Sequence, residues 1–137
     1  MYSQVILVTG AREWADKDLI YNTLKEYIFA SGGLRYTDAK SVLLIHGACR
    51  GADNIAGDAA NRLGFTVSFK PANWKEYGRA AGVIRNLEMI KLAKEYSDKG
   101  IPVIVLAFHD DLSKSKGTKH CVEMSIKNGL ETKVFGH

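Results

Sequence analysis

The chain has little cysteine, little proline and no long hydrophobic run. Its two cysteines, Cys49 and Cys121, lie far apart and match no C-x-x-C pattern, which argues against a disulfide framework and a zinc site. No apolar run is long enough to cross a bilayer, and no basic leader precedes the first apolar segment. We therefore expect a cytoplasmic protein with reduced thiols and no membrane partner.

The net charge is also small. The chain carries 19 Lys and Arg residues against 15 Asp and Glu residues, a formal charge of +4. Such a balance attracts anionic ligands weakly and does not favour nucleic acid as a partner. A length of 137 residues is typical of one domain. We expect a single globular unit spanning residues 1–137.

Short runs of Val, Ile and Leu recur along the chain, as in strands that are covered on both faces. Strands are predicted at 5–8, 42–45, 66–69, 103–106 and 132–135. These strands alternate with amphipathic segments, so the pattern predicts an α/β fold with an open, mostly parallel five-stranded sheet and helices on both faces.

The helices between these strands have recognisable starts and stops. Asp16 is a candidate N-cap for a first helix that stops at Gly32-Gly33, and Gly64 follows a second helix over 52–63. Two further helices are predicted at about 79–96 and 118–128. The polar stretch 34–40 is a candidate flexible insert.

Three loops of small residues follow the three strongest strands: Thr9-Gly10-Ala11-Arg12, the segment 46–53, and Ser115-Lys116-Gly117-Thr118. Ligands of such sheets bind beyond the carboxyl ends of the strands. Glycine lets an anion approach the backbone, and the first N–H groups of a following helix favour phosphate. The arginines nearest these loops are Arg12, Arg50, Arg79 and Arg85. The loops therefore predict a phosphate-binding site.

None of these loops matches the dinucleotide fingerprint or the P-loop. The turn after the first strand lacks the second and third glycines, and no G-x-x-x-x-G-K-[ST] string occurs. A conventional NAD enzyme or NTPase is disfavoured, and no cofactor is predicted. The histidines are too dispersed to predict a metal site; they are His46, His109, His120 and His137.

Taken together, the motifs of the chain resemble one family. They are Thr9–Arg12, His46-Gly47 with Gly51-Ala52-Asp53, Ala72-Asn73-Trp74, Tyr77–Gly82, Arg85-Asn86 with Met89, and Lys116-Gly117-Thr118. In this order they resemble the YspA-like, YpsA-related branch of the SLOG superfamily. The resemblance implies a Rossmann-like domain related to the LONELY GUY phosphoribohydrolases and to the DNA-processing protein DprA. It also implies kinship with SLOG sensors of nucleotide-derived signals in bacterial and phage conflict systems.

The resemblance also allows a test of the enzyme interpretation. LONELY GUY enzymes carry Arg-Lys-x-x-Met and Gly-Gly-x-Gly-Thr-x-x-Glu strings, whose arginine and glutamate act at the reacting centre. Arg85 matches the arginine, but Cys121 stands where the glutamate is expected. Glu123 lies about 200° further round a helix. The catalytic candidates are therefore Arg85, with Asp53 or Glu123 as a replacement carboxylate.

The candidate ligand-binding residues are taken from these loops and motifs. They are Gly10, Ala11, Arg12, His46, Gly47, Ala48, Gly51, Ala52, Asp53, Trp74, Arg79, Arg85, Asn86, Ser115, Gly117 and Thr118.

Several of these candidates have a second interpretation that is purely structural. Asp53 is either a ligand contact or a helix cap and loop partner, and His46 is either a ligand contact or a polar group satisfied by backbone. Trp74 either stacks on a base or, like Tyr77, belongs to the core or a subunit contact. Arg85 either contacts ligand or forms a salt bridge with Glu88 or with a neighbouring subunit.

The leading hypothesis is a domain that binds a nucleotide or a nucleotide-derived phosphate ester, as a sensor or a sequestering protein. A nucleotide N-glycosidic hydrolase is the alternative, and single-stranded nucleic-acid binding like that of DprA is a third hypothesis, although no basic groove with aromatic residues is visible. The resemblance also implies a homo-oligomer, because SLOG domains commonly pair through helices that flank the ligand site.

Overall fold

The structure, a computed structural model, describes residues 2–28 and 38–137. Its strands and helices, in chain order, are β1 (Gln4–Gly10), α1 (Lys17–Lys25), β2 (Val42–His46), α2 (Ala52–Leu63), β3 (Thr66–Phe69), α3 (Trp74–Tyr77), α4 (Ala81–Asp98), β4 (Val103–Phe108), α5 (Gly117–Lys127) and β5 (Glu131–Phe135).

The five strands form one parallel sheet in the order β3-β2-β1-β4-β5. This confirms the predicted α/β, Rossmann-like fold. β1 lies at the centre, where Val5 is in register with Leu43 of β2 on one side and with Val103 of β4 on the other. The chain runs outward from β1 to β3 and then crosses to β4. The strand order therefore switches direction between β1 and β4, where ligands of such sheets bind.

Alternate residues of the central strand enter two different cores. Ile6 and Val8 lie in the core that contains Ile20 of α1 and Ala56 of α2, whereas Leu7 lies with residues of α4 and α5 on the other face. Because consecutive strand side chains point to opposite faces, a fully apolar strand needs helices on both sides of the sheet. The two helix layers follow from that requirement.

The start of α1 and the end of α2 match their predictions. Asp16 Oδ1 accepts a hydrogen bond from the Leu19 N–H at 3.0 Å, as an N-cap does, and Gly64 follows α2 with φ +87°. α1 ends at Lys25 and leads into a 3₁₀ turn, Glu26–Ile28. The predicted stop at positions 32 and 33, and residues 34–37 of the predicted insert, lie outside the described residues.

α4 lies within two residues of its predicted bounds, about 79–96, whereas the short helix α3 before it was not predicted. Gly78, with φ +54° and ψ −129°, ends α3 after a single turn, and a 3₁₀ turn Gly78–Ala80 precedes α4. α5 lies within one residue of its predicted bounds at each end. Across residues 2–28 and 38–137, no helix combines the length and hydrophobicity that a membrane crossing requires.

Backbone hydrogen bonds join the loop that follows β1 to the end of β4 and to the start of α2. The Ala11 N–H donates to the Phe108 carbonyl at 2.9 Å, and the Ala52 N–H donates to the Ala11 carbonyl at 3.1 Å. A Cβ on Gly10 would lie 2.5 Å from the Phe108 oxygen, and a Cβ on Gly51 would overlap the Ala11 oxygen. These two glycines therefore allow neighbouring backbone to come close, whereas the sequence predicted that the loop glycines allow a ligand to come close.

We predict that Gly51→Ala destabilises the protein more than Gly78→Ala. The two glycines have nearly the same backbone conformation, Gly51 at φ +78°, ψ −130° and Gly78 at φ +54°, ψ −129°, so each substitution costs about 1–3 kcal/mol of backbone strain. A Cβ at Gly78 meets nothing within 4 Å. Gly51→Ala adds a collision worth about 1–3 kcal/mol.

The measurement is the free energy of unfolding of both variants in urea. Equal losses would show that the contact between the loops contributes nothing at this position.

Candidate functional site

A cavity of about 320 Å³ opens at the carboxyl edge of the sheet, beyond the ends of β1 and β4. Each of the three predicted loops contributes to its wall. The lining residues are Thr9, Gly10, Ala11, Arg12, Glu13, Cys49, Asp53, Arg85, Asn86, His109, Lys114, Ser115, Lys116, Gly117 and Thr118. The loops therefore meet as the topology predicts.

Asp53, in the first turn of α2, holds the loop that follows β2. Asp53 Oδ2 accepts hydrogen bonds from the N–H of Gly47 at 3.1 Å and of Cys49 at 3.3 Å. Between them, Ala48 has φ +58°, which is rare for a residue with a Cβ, and its N–H donates to His46 Nδ1 at 3.0 Å. Asp53 is thus the predicted loop partner but not a helix cap, because Gly51 occupies the N-cap position of α2.

Arg85 holds the same loop from the side of α4. Its side chain is buried, with Nη1 donating to the Gly47 carbonyl at 2.6 Å and both terminal nitrogens 3.7 Å from Cys49 Sγ. Nε donates to Asn86 Oδ1 at 3.0 Å. In the part of the chain that the structure describes, Arg85 forms no ion pair, so the predicted pairing with Glu88 is not observed.

Gly47 is a glycine because of this arginine. A Cβ at Gly47 would lie 2.5 Å from Arg85 Nη1. The guanidinium therefore occupies the space that the missing side chain leaves, and a ligand cannot use it. Of the predicted loop glycines, only Gly10 and Gly117 line the cavity.

Burial raises the pKa of the Asp53 carboxyl to about 6. The hydrogen bond from Cys49, the charge of Arg85, the hydrogen bond from Gly47 and the charge of Arg12 act in the opposite direction and only partly compensate. The cavity thus contains a carboxyl group that changes charge near neutral pH.

The start of α5 forms the opposite wall. Ser115 Oγ accepts a hydrogen bond from the Thr118 N–H at 3.0 Å, and Asn86 Nδ2 donates to the Gly117 carbonyl at 3.2 Å. A Cβ on Gly117 would meet nothing within 4 Å, so this glycine faces open space. The exposed side chains of Lys114 and Lys116 lie beside it on the cavity wall.

Neither Cys121, which stands at the place of the LONELY GUY glutamate, nor the nearby Glu123 supplies a carboxylate to the cavity. Cys121 is fully buried in the core, and burial raises the pKa of its thiol to about 11, so it remains neutral. Glu123 does not line the cavity; it is exposed and pairs with Lys119 at 3.9 Å. Of the three catalytic candidates, the structure places Arg85 and Asp53 at the cavity.

Other predicted site residues lie elsewhere. His46 packs against Gly57 and stacks on Phe69, with ring centroids 5.9 Å apart, and burial lowers the pKa of its imidazole. Arg79 is exposed on the 3₁₀ turn before α4 and does not line the cavity. Gly47, Ala48, Gly51 and Ala52 belong to the loop framework and also stay out of the cavity wall.

The two aromatic candidates of α3 are not core residues. Trp74 is 51% exposed and Tyr77 is 43% exposed, which contradicts the core alternative, because α3 lies outside both helix layers. Trp74 lines a groove beside the cavity together with Arg12 and Cys49. Trp14, in contrast, is buried against Phe108.

Sequence reasoning missed some lining residues, namely Thr9, Glu13, Cys49, His109, Lys114 and Lys116. All of them except His109, which directly follows β4, lie within or next to the three predicted loops. Their proximity to the loop glycines was the available signal. Which of them face inward depends on the path of each loop.

The model of the family described as YspA, cpYpsA-related SLOG matches residues 4–77, from β1 to α3. The chain belongs to this SLOG family. The Gene 61 protein of Mycobacterium phage D29 is 32% identical over 136 residues, which cover 96% of this chain and 95% of that protein. No solved structure matches the chain significantly. Arg85 and Asn86 of α4 and Gly117 and Thr118 of α5 lie outside the residues that match the family. They lie within the longer match to the phage protein.

We predict that the stabilising contribution of Asp53 decreases as the pH rises. The carboxyl pKa is 3.8 as its ordinary value and about 6 in the fold, so the folded state binds the proton more tightly. The contribution of Asp53 to the free energy of unfolding is fully present below about pH 4 and is lost as the pH rises through 6. The change is on the order of 3 kcal/mol. Asp53→Asn, which does not titrate, abolishes this pH dependence.

The measurement is urea unfolding of the wild type and Asp53→Asn between pH 4 and pH 7.5. Glu95→Gln, an exposed carboxyl on α4, controls for the loss of one negative charge. A constant difference between the wild type and Asp53→Asn over this range would contradict the raised pKa.

Proposed function

We propose that this SLOG domain binds a nucleotide or a nucleotide-derived phosphorylated small molecule at the cavity, as a sensor or a sequestering protein. The observation that carries the proposal is the convergence of three loops and a helix start on one polar cavity at the topological switch point. Its volume of about 320 Å³ lies within the range of small-molecule sites.

The start of α5 is the proposed phosphate position. The first N–H groups of a helix have no intrahelical partner and carry a partial positive charge. In α5 the Thr118 N–H already donates to Ser115 Oγ, so the other N–H groups of the first turn are the ones that an anion would use. Gly117 leaves this end of the helix open, while Lys114, Lys116 and Arg12 add positive charge to the same cavity. Both features favour an anion.

The wall formed by the loop after β2 is organised before any ligand arrives. Arg85 and Asp53 hold the backbone of this loop from two sides. A site that is already ordered loses less conformational entropy on binding. Arg85→Ala would therefore disturb the loop as well as any ligand contact, so we choose a different position for the test.

We predict that Gly117→Asp weakens anion binding without harming the fold. Gly117 is helical and its Cβ position is open, and an aspartate in the first turn of a helix is stabilising by about 0.3–1 kcal/mol. The new carboxylate repels a phosphate at close range, so affinity falls by at least about tenfold. Gly117→Asn has the same size without the charge and is the matched control.

The measurement is isothermal titration with the compounds that the wild type retains from a panel of nucleoside monophosphates, ADP-ribose, NAD and cyclic nucleotides. Equal affinity of the Asp and Asn variants would exclude the start of α5 as the phosphate position.

One observation favours hydrolysis as a second candidate function. Asp53 lines the cavity with a pKa of about 6, a suitable value for acid–base chemistry at neutral pH. A carboxylate near the ribose can stabilise the positive charge that develops when an N-glycosidic bond breaks. The two backbone hydrogen bonds of Asp53 equally fit a purely structural role.

Incubation of the protein with the same nucleotide panel separates the two functions. Binding without catalysis predicts intact compound, recovered only after denaturation of the protein and identified by mass spectrometry. Hydrolysis predicts free base in the filtrate with the wild type and none with Asp53→Asn. Free base from both proteins would exclude Asp53 as the catalytic carboxylate.

A further inference from the structure

A second depression adjoins the cavity on the side of α3. It encloses about 340 Å³ and is lined by Arg12, Ala48, Cys49, Arg50 and Trp74. Arg12 and Cys49 line the main cavity as well. The two spaces therefore adjoin each other at these two residues. We call the second space the Trp74 groove.

Trp74 supplies the groove with an available aromatic surface. Its indole lies near Gly82 of α4, with Cη2 3.5 Å from the position of a Cβ on that glycine, and half of its surface remains exposed. Within residues 2–28 and 38–137, no other aromatic ring stacks on this indole. An exposed tryptophan beside a polar cavity can stack on a flat group.

The groove is less favourable for a second phosphate than the start of α5 is. Of its two arginines, Arg50 lies with Nη2 2.7 Å from Glu13 Oε1 in an exposed ion pair, and Arg12 is shared with the main cavity. Trp74 begins a helix of a single turn, which has a smaller dipole than the eleven-residue helix α5. A planar neutral group can stack on the indole and on the flat faces of the guanidinium groups.

We propose that the Trp74 groove is the nucleobase subsite, so that the ligand is a nucleotide with its phosphate at the start of α5 and its base on Trp74. This inference rests on the proposed function and adds the orientation of the ligand. The main cavity is at the small end of ligand sites, about 300–1,000 Å³, which is consistent with a base that lies outside it. Arg12, shared by both spaces, lies between base and phosphate.

The test compares AMP with ribose 5-phosphate, which has the phosphate and the sugar but no base. Trp74→Ala should weaken AMP binding by about 5- to 150-fold, the usual contribution of base stacking on an aromatic side chain, and leave ribose 5-phosphate binding unchanged. Trp74→Phe retains a ring and should restore most of the AMP affinity. Tyr77→Ala, an exposed aromatic on the same helix that does not line the groove, is the matched control.

Fluorescence gives an independent reading, because the other tryptophan, Trp14, is buried. AMP should quench the emission of the wild type, and most of this quenching should be absent in Trp74→Phe even though AMP still binds. Ribose 5-phosphate should quench neither protein.

The possible failures are distinguishable. If Trp74→Ala leaves AMP affinity unchanged, or weakens both compounds equally, the base subsite is wrong while the phosphate site stands. If neither compound binds the wild type, the proposed function is contradicted for nucleoside monophosphates, and the base subsite is contradicted with it.

Discussion

The site depends on how the loop after β2 is held between two buried charges. Asp53 accepts hydrogen bonds from two N–H groups of this loop, and Arg85 donates to a carbonyl of the same loop. Burying either charge alone would be costly. The loop backbone satisfies both groups, so the strained φ of Ala48 is maintained by contacts on each side. The charge of Arg85 also lowers the pKa of the Asp53 carboxyl and offsets part of the effect of burial.

This arrangement explains why glycines occur in these loops. Gly47 leaves space for the Arg85 guanidinium, and Gly10 and Gly51 leave space for neighbouring backbone and for Ala52. Gly10 and Gly51 thereby allow the loop after β1 to form direct hydrogen bonds with the end of β4 and the start of α2. Gly117 differs, because the space beside it is open. Four glycines from similar loops thus have two different roles, which depend on what lies next to each.

Much of the fold was predictable from the sequence because its signals are local. The apolar runs identify the strands, since a strand buried on both faces must be apolar throughout. Asp16 and Gly64 mark helix ends through hydrogen bonds and backbone angles that involve only neighbouring residues. The short helix α3 was not predicted, because its four residues are too few to show a hydrophobic repeat before Gly78 ends it with a positive φ. At the site, the sequence named Asp53, Arg85 and Gly117 but not their partners.

The sequence by itself determined the alternation of strands and helices, and with it the sheet edge at which the three loops meet. Hydrophobic periodicity is sufficient for this, because the direction of each side chain repeats along regular secondary structure. Only the tertiary structure decided that Arg85 supports a loop, that His46 faces away from the cavity, and that Trp74 is exposed beside it. Such facts depend on contacts between residues distant in sequence, such as Arg85 and Gly47, and on loop backbone angles that periodicity does not encode.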